Sequence, residues 1–159
     1  AYRVDVATDP NEMEKLYTAR RNAFPAVMRL YPVTIVGDIC VPISKLPIAV
    51  KRVKEIAAKY NISVAIVGHA GDGNIHTLIG VPSTSEDDWK RGYEVNLEIC
   101  RMAIELGGSV SAEHGIGLQK KPVLIEELRS RNSEYAIEIM RSIKKIFDPK
   151  GIMNPGKIF

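Results

Sequence analysis

The sequence predicts an α+β fold in which helices cover one sheet that contains a hairpin. Three strand-like runs of apolar and β-branched residues lie at 34–41, 62–67 and 75–81, and segments with helical spacing precede, separate and follow them. A glycine-rich turn joins the second and third runs, which is typical of an antiparallel hairpin. Helices and strands in this order are expected to pack as a helical layer on a sheet, with βαβ-like connectivity.

The first helix is predicted from its start signals. Residues 2–7 alternate apolar and polar side chains, and Asp9 then has the position of a helix N-cap. Pro10 stands at the first helical position, and Glu12 completes a capping-box-like pair. Because proline lacks an amide hydrogen and clashes with the preceding turn, we expect this helix to end at Pro25.

The later helices are predicted from apolar residues at helical spacing and from their caps. Ser85, with Asp88 three residues later, is typical of a helix start, and Gly107 with Gly108 is typical of a helix end. The predicted elements after the first strand are a turn at 42–47, a helix over 48–60 that stops at Asn61, the two hairpin strands, a long helix from 85 to 104, an extended stretch at 109–112, helices over 122–129 and 133–146, and an irregular tail at 152–159.

The composition is typical of one globular domain. With 159 residues, 45% of them hydrophobic and 26% charged, the chain can bury a core of its own, and we expect residues 1–159 to form a single domain. The 22 basic and 19 acidic residues are scattered, whereas nucleic-acid binding needs a basic face. No apolar run approaches the roughly 20 residues that span a bilayer. We therefore predict no nucleic-acid partner and no transmembrane segment.

The two cysteines and the first residue bear on the protein's origin. Cys40 and Cys100 are far apart in the sequence and form no Cys-x-x-Cys pair, so neither a disulfide framework nor a thiolate metal site is expected. This cysteine usage is compatible with an intracellular location. The chain begins with Ala1 rather than methionine, so we expect a processed product or an excised fragment.

Three histidines and one glutamate are the candidate metal and catalytic residues. The motif GHAGDGNIH at 68–76 places His69 and His76 on either side of the glycine-rich turn, and Glu113 precedes His114 in a second motif, SAEHGIG. A hairpin would bring the first two imidazoles opposite each other at the mouth of its turn. Two imidazoles, one carboxylate and an open position are typical of a catalytic zinc site.

Each of these residues also has a simpler interpretation. The histidines could hydrogen-bond to backbone groups near the turn, and Glu113 could be a surface or helix-start charge. Asp72 competes with Glu113 as the carboxylate ligand, although Asp-Gly is a common way to close a hairpin. His114 is the candidate general base, because an imidazole can take a proton from a substrate hydroxyl near neutral pH. Its alternative role is to support Glu113.

Other ligand-binding motifs are weak or absent. Gly68, Gly71 and Gly73 have the spacing Gly-x-x-Gly-x-Gly, which is not the dinucleotide fingerprint, and no Walker loop is present. Arg20 and Arg21 on the first helix are expected to be solvated surface charges. If that helix faces the pocket, either guanidinium could instead bind a substrate carboxylate through two parallel hydrogen bonds.

Five motifs in order resemble a known family. GHAGDGNIH at 68–76, SAEHGIG at 111–117 and DPKGIMNPGK at 148–157 together resemble the C-terminal domain of FAD-linked oxidases of the vanillyl-alcohol-oxidase type. RRNAFPA at 20–26 and DICVP at 38–42 extend this resemblance over nearly the whole chain. It is strongest to the branch that contains the glycolate oxidase flavin subunit, D-lactate dehydrogenase and D-2-hydroxyglutarate dehydrogenase.

The resemblance implies a ferredoxin-like α+β domain whose sheet lies over the flavin of a separate N-terminal FAD-binding domain. It also implies that His69, His76 and Glu113 hold a divalent metal, zinc or manganese, which binds the hydroxyl and carboxylate of a small 2-hydroxy acid. His114 is then the base that removes the hydroxyl proton while the α-hydrogen leaves as hydride to the flavin.

The resemblance also indicates which residues contact the substrate and the flavin. Arg20 matches an arginine that pairs with the substrate carboxylate, and Asn154 lies in the tail that approaches FAD. Val36 and Leu78 stand where the 2-hydroxyglutarate branch has polar contacts, so glycolate or lactate is the expected substrate. Because no FAD-binding domain is present, we expect a fragment or half of a split enzyme that is inactive alone.

The sequence therefore predicts the metal- and substrate-binding domain of an FAD-dependent 2-hydroxy-acid dehydrogenase of the glycolate or D-lactate type. We expect it in the cytoplasm, and attachment to a membrane surface through further oxidase subunits is left open. One alternative is a stand-alone metal-dependent hydrolase in which His114 activates water. The other is a non-catalytic domain that binds a metal or a partner. Hydrolysis by the purified chain would favour the first alternative, and inertness of a complex with a flavin domain the second.

Overall fold

The computed structural model describes residues 6–159, so most of the predicted alternation at 2–7 lies outside it. Within the described range the chain forms five α-helices, three strands and one 3-10 turn. In order they are α1 (Pro10–Met28), β1 (Val33–Cys40), the 3-10 turn (Ile43–Lys45), α2 (Leu46–Lys59), β2 (Ser63–His69), β3 (Asn74–Val81), α3 (Glu86–Glu105), α4 (Lys121–Ser130) and α5 (Tyr135–Phe147).

The sheet has the order β1-β3-β2, and β3 is antiparallel to both neighbours. α2 connects β1 to β2, β2 and β3 form the predicted hairpin, and α3 returns the chain to the other edge of β1. There Ser109 pairs antiparallel with Cys40 in a single bridge, at the position of the fourth strand of a ferredoxin-like sheet. The predicted α+β fold is confirmed, with the extended stretch at 109–112 reduced to this bridge.

The two faces of the sheet have different surroundings. One face packs against α2 and α3, and a Cβ at Gly92 of α3 would lie only 2.8 Å from Cγ2 of Val81, which shows how closely that helix approaches. The opposite face carries Asp38 of β1 and His76 of β3 side by side, because the register pairs these two residues. The core includes Ile35, Ile39, Ile75, Ile79, Val53, Val95 and Ile99.

α1 begins as predicted but ends later. The carboxylate of Asp9 accepts hydrogen bonds from the amides of Asn11 and Glu12 at 2.9 and 3.3 Å, which makes it the N-cap. The expected end at Pro25 is wrong, because the helix continues to Met28. Proline removes one helical hydrogen bond, and since α1 has no buried residue, water can satisfy the carbonyl that loses its partner.

The remaining caps agree with the sequence interpretation. The hydroxyl of Ser85 accepts a hydrogen bond from the amide of Asp88 at 3.2 Å at the start of α3. Asn61 follows α2 with φ of 51°, a left-handed conformation that asparagine tolerates and that ends a helix. None of the helices in residues 6–159 combines the length and apolar character needed to cross a bilayer.

The two cysteines are predicted to differ in reactivity. Cys100 of α3 is fully buried, and burial raises its pKa to about 11, so about one thiol in a thousand is ionised at pH 8. Cys40 is half-buried and borders an open cavity. A thiol reagent at about pH 8 should modify one cysteine per native chain and both after unfolding. In the Cys40→Ser control, rapid modification of the native chain would contradict the packing of α3.

Candidate metal and substrate site

The hairpin brings the first two histidines together. His76 pairs with Val67 across the two strands, and His69 lies two residues beyond Val67, so both imidazoles leave the same face of the sheet. The turn is closed by the amide of Asp72, which donates to the carbonyl of His69 at 3.0 Å, and by Gly73 with φ of 75°. The two ring centroids are 5.7 Å apart.

The loop that follows the Ser109 bridge places a carboxylate beside these rings. Oε1 of Glu113 lies 2.9 Å from Nε2 of His76 and 3.8 Å from Nε2 of His69. The side chain of Glu113 is half exposed, and that of His76 is 12% exposed. One ligand atom from each of the three residues lies within 4.8 Å of the others. Two imidazole nitrogens and one carboxylate oxygen at this spacing fit the donor set of zinc or manganese, with coordination positions left for a substrate.

A buried aspartate holds this loop in place. Asp38 is 1% exposed, and its Oδ2 accepts four hydrogen bonds at 2.9 to 3.0 Å. The donors are the hydroxyl of Ser111 and the amides of Ala112, Glu113 and His114. Four consecutive residues of the loop therefore converge on one oxygen of β1, and the backbone of Glu113 is fixed even though its side chain is half exposed.

The charge of Asp38 is stabilised by its surroundings. Burial alone would raise its pKa, but the hydrogen bonds from the amides of His114 and Glu113 and from the hydroxyl of Ser111 outweigh burial, and with the charge of Lys120 they hold the pKa of Asp38 below its ordinary value. The ammonium group of Lys120 lies 3.8 Å from Oδ2 and donates to the carbonyl of Asp38 at 2.5 Å. Burial in turn lowers the pKa of Lys120.

Because Asp38 is committed to the loop, it is the weaker candidate for a metal ligand. A second set of possible ligands, Asp38, His76 and His114, also meets within 4.8 Å. In that set the carboxylate is fully buried and one of its oxygens already accepts four hydrogen bonds. The set with Glu113 has an accessible carboxylate, so it is the better match for a metal site with open positions.

His114 lies beside the candidate metal ligands His76 and Glu113, but its ring nitrogen is farther from the Glu113 carboxylate than that of His76. Its ring stacks on that of His76, with centroids 4.8 Å apart and planes inclined by 14°. Its Nε2 is 3.9 Å from Oε1 of Glu113, and the side chain is half exposed. An accessible imidazole beside the candidate ligands can exchange a proton with a small molecule bound there.

A cavity of about 280 Å³ lies between α1 and the hairpin. Arg20 and Arg21 both line it together with the two hairpin histidines, and Arg21 also forms an ion pair with Glu14. The apolar part of the wall includes Phe24 and Val67. The cavity therefore combines basic side chains, the two histidine candidates and an apolar surface.

Four other residues from the sequence interpretation lie elsewhere. Asp72 lines a second cavity of about 530 Å³ beside His69 but belongs to neither set of possible metal ligands. Asn154 is in the exposed tail, with φ of 46°. Leu78 is fully buried, and Val36 lines a separate cavity beside His114. The structure thus places none of the four on the cavity that Arg20 lines.

Comparison with known proteins decides the family. A family described as FAD linked oxidases, C-terminal domain, matches residues 1–158. The chain belongs to this family. The match covers the hairpin, the loop at 111–117 and the tail, which are the segments that carried the resemblance. The FAD-linked oxidases are oxidoreductases, and the family as a whole implies FAD as the cofactor of the complete enzymes.

Curated relatives agree with this assignment. The chain is 42% identical over 159 residues to the glycolate oxidase subunit GlcD of Bacillus subtilis, covering all of this chain and 33% of that protein. It is 37% identical over 159 residues to a D-lactate dehydrogenase of Archaeoglobus fulgidus, and the match covers 99% of this chain and 33% of that protein. It is 38% identical over 127 residues to a D-2-hydroxyglutarate dehydrogenase of Stutzerimonas stutzeri, and the match covers 77% of this chain and 26% of that protein. The chain thus spans a third or less of these relatives.

The buried lysine is a residue that the sequence interpretation missed, and its contribution can be measured. Replacing Lys120 by methionine keeps the length of the side chain but leaves the buried Asp38 carboxylate without its cation. We expect Lys120→Met to lower the free energy of unfolding by roughly 3 kcal/mol, measured by urea denaturation. The adjacent Lys121 donates to the exposed tail at Gly156, so Lys121→Met should change stability by less than about 0.5 kcal/mol. Equal effects would show that Lys120 does not neutralise Asp38.

Proposed function

We propose that this chain is the metal- and substrate-binding domain of an FAD-dependent 2-hydroxy-acid dehydrogenase that oxidises a small acid of the glycolate or D-lactate type. The observation that carries the proposal is the meeting of His69, His76 and Glu113 at the edge of a cavity that Arg20 also lines. Membership in the FAD-linked oxidase family and similarity to proteins named glycolate oxidase subunit and D-lactate dehydrogenase support it.

The metal would be held by the three residues whose ligand atoms meet. His69 and His76 offer ring nitrogens from the rigid hairpin, and Glu113 offers a carboxylate oxygen from the loop fixed by Asp38. Bound there, zinc or manganese supplies Lewis acidity toward a substrate hydroxyl and carboxylate, which lowers the pKa of the hydroxyl.

The cavity favours a small monocarboxylic acid. Arg20 can pair with the substrate carboxylate through two hydrogen bonds, and it lies at the same cavity as the histidine cluster. A volume of about 280 Å³ with Phe24 and Val67 in its wall suits a short apolar side chain. Arg21 also lines the cavity but is paired with Glu14, so a second carboxylate would have to compete with that ion pair for a partner or lie against apolar side chains, which is costly. Glycolate or lactate therefore fits better than a dicarboxylate.

His114 would be the general base. Its imidazole is half exposed and stacked on His76, beside the candidate ligands. In the oxidation of a 2-hydroxy acid to a 2-oxo acid, the hydroxyl proton passes to His114 as the C–O bond becomes a carbonyl. FAD supplies the acceptor for the α-hydrogen and its electron pair, so one proton and one hydride account for the two hydrogens lost.

The flavin would be held mainly by a separate FAD-binding domain, which we propose as the partner of this chain. The relatives are about three times longer than the chain, so their remaining length is sufficient for such a domain. Asn154 in the exposed tail is the residue we assign to the flavin side. Without its partner the chain is expected to be inactive. We place the assembled enzyme in the cytoplasm, with further oxidase subunits as possible links to a membrane.

Metal binding gives the first test. The chain should bind about one zinc or manganese ion in titration calorimetry, and His76→Ala should abolish or greatly weaken this binding. Affinity should fall as the pH is lowered, because a protonated imidazole cannot bind a metal. Asp72→Ala is the matched control, since Asp72 borders His69 but belongs to neither ligand set, and it should bind the metal normally. Unchanged binding by His76→Ala would exclude the site.

The role of His114 is tested in the protein joined to or mixed with its FAD-binding domain. His114→Ala should keep its metal but reduce flavin by a 2-hydroxy acid roughly 10² to 10⁴ times more slowly, as measured by stopped-flow bleaching of the flavin. Glu113→Ala should lose metal and activity together. Metal content is measured on the same samples. A metal-replete His114→Ala protein with normal flavin reduction would show that His114 is not the base.

A further inference from the structure

The two oxygens of the Asp38 carboxylate have different surroundings. Oδ2 accepts the four hydrogen bonds from the loop. Oδ1 is also buried but has no hydrogen-bond partner among the described residues, and Nδ1 of His76 is in the same condition. These two atoms lie 3.4 Å apart, slightly beyond an ordinary N–H···O hydrogen bond. A small rotation of the imidazole would join them.

Leaving both atoms unpaired would be unfavourable. A buried polar atom without a partner costs about 1–3 kcal/mol, and more when it carries charge. A carboxylate oxygen can only accept a hydrogen bond, so Asp38 requires the proton of His76 on Nδ1. Nε2 on the other side of the ring faces Glu113, whose half-exposed side chain can be hydrated instead. Burial therefore favours the tautomer with hydrogen on Nδ1.

We propose that Asp38 is a positioning residue that holds His76 in the Nδ1–H tautomer, so that the Nε2 lone pair points at the candidate metal position. The part of this proposal that concerns metal affinity rests on the proposed function, whereas the tautomer does not. Metal-binding histidines commonly donate their second N–H to a carboxylate, which fixes the ring and makes the ligating nitrogen more basic. Asp38 was not a candidate in the sequence interpretation.

The same carboxylate aligns both parts of the ligand set. Through Oδ1 it orients a ligand on β3, and through Oδ2 it fixes the backbone of Glu113, which carries the ligand on the loop.

The different surroundings of the two carboxylate oxygens also make the role of Asp38 testable. In Asp38→Asn the amide oxygen must take the place of Oδ2, because the four loop groups there are donors. The amide NH₂ then faces Nδ1 of His76 and requires a lone pair on that nitrogen.

Asp38→Asn should therefore reverse the tautomer. The ring proton of His76 then lies on Nε2, which leaves that nitrogen without a lone pair for a metal. The test is a long-range ¹H–¹⁵N correlation spectrum of the ¹⁵N-labelled chain without metal, recorded at about pH 8, which distinguishes the two tautomers of an imidazole. Wild type should show His76 protonated on Nδ1, and Asp38→Asn should show it protonated on Nε2. Zinc titration of both proteins should give an affinity about 10- to 100-fold lower for the variant.

Ser111→Ala is the matched control. It removes one of the four hydrogen bonds on Oδ2 and so loosens the loop, but it leaves the contact between Oδ1 and His76 unchanged. It should therefore keep the Nδ1–H tautomer. A wild-type spectrum with the proton of His76 on Nε2 would overturn the proposal even if Asp38→Asn did not fold. An unchanged tautomer in folded Asp38→Asn would do the same.

The zinc measurements separate this proposal from the proposed function. If wild type binds no zinc but the tautomer reverses in Asp38→Asn, the positioning role stands and the metal site fails. If zinc binds wild type and Asp38→Asn equally well, the metal site stands and Asp38 has no influence on it. A lower zinc affinity in Ser111→Ala that matches that of Asp38→Asn would assign the whole loss of affinity to the loop and would overturn the part of the proposal that concerns metal affinity.

Discussion

The buried carboxylate of Asp38 is the interaction on which the candidate site depends. It lies in β1, it accepts four hydrogen bonds from residues 111–114, and it is balanced by the buried ammonium group of Lys120. A charge at 1% exposure is tolerated only when it is hydrogen-bonded and paired, and Asp38 meets both conditions. Without this anchor, the bridge at Ser109 would be the remaining backbone link to the sheet, among the described residues, for the loop that carries Glu113 and His114.

The site therefore combines two kinds of rigidity. His69 and His76 are held by the backbone hydrogen bonds of a hairpin, which are independent of side-chain chemistry. Glu113 and His114 are held by side-chain and backbone bonds to one charged group. Their side chains remain half exposed, as a site that admits a substrate requires, although the backbone beneath them is fixed. This arrangement reconciles accurate placement of ligands with access from solvent.

Most of the architecture was predictable from the sequence because local signals and the global fold agree. Ser85 and Asp9 cap the helices they were expected to cap, and the glycine-rich turn closes the expected hairpin. Pro25 was misjudged because a proline ends a helix reliably only where its missing hydrogen bond cannot be replaced by water. Asp38 was treated as part of a strand, although a single acidic residue among apolar neighbours was a signal of a buried interaction. Its partners lie more than 70 residues away, which spacing alone does not reveal.

His69 lines two cavities, one of about 280 Å³ that Arg20 and Phe24 also line and one of about 530 Å³ that Asp72 and Glu113 also line. If the histidine cluster holds a metal as proposed, an ion can reach it through a cavity that Arg20 does not line. Exchange of the ion would then not require an acid bound beside Arg20 to leave first.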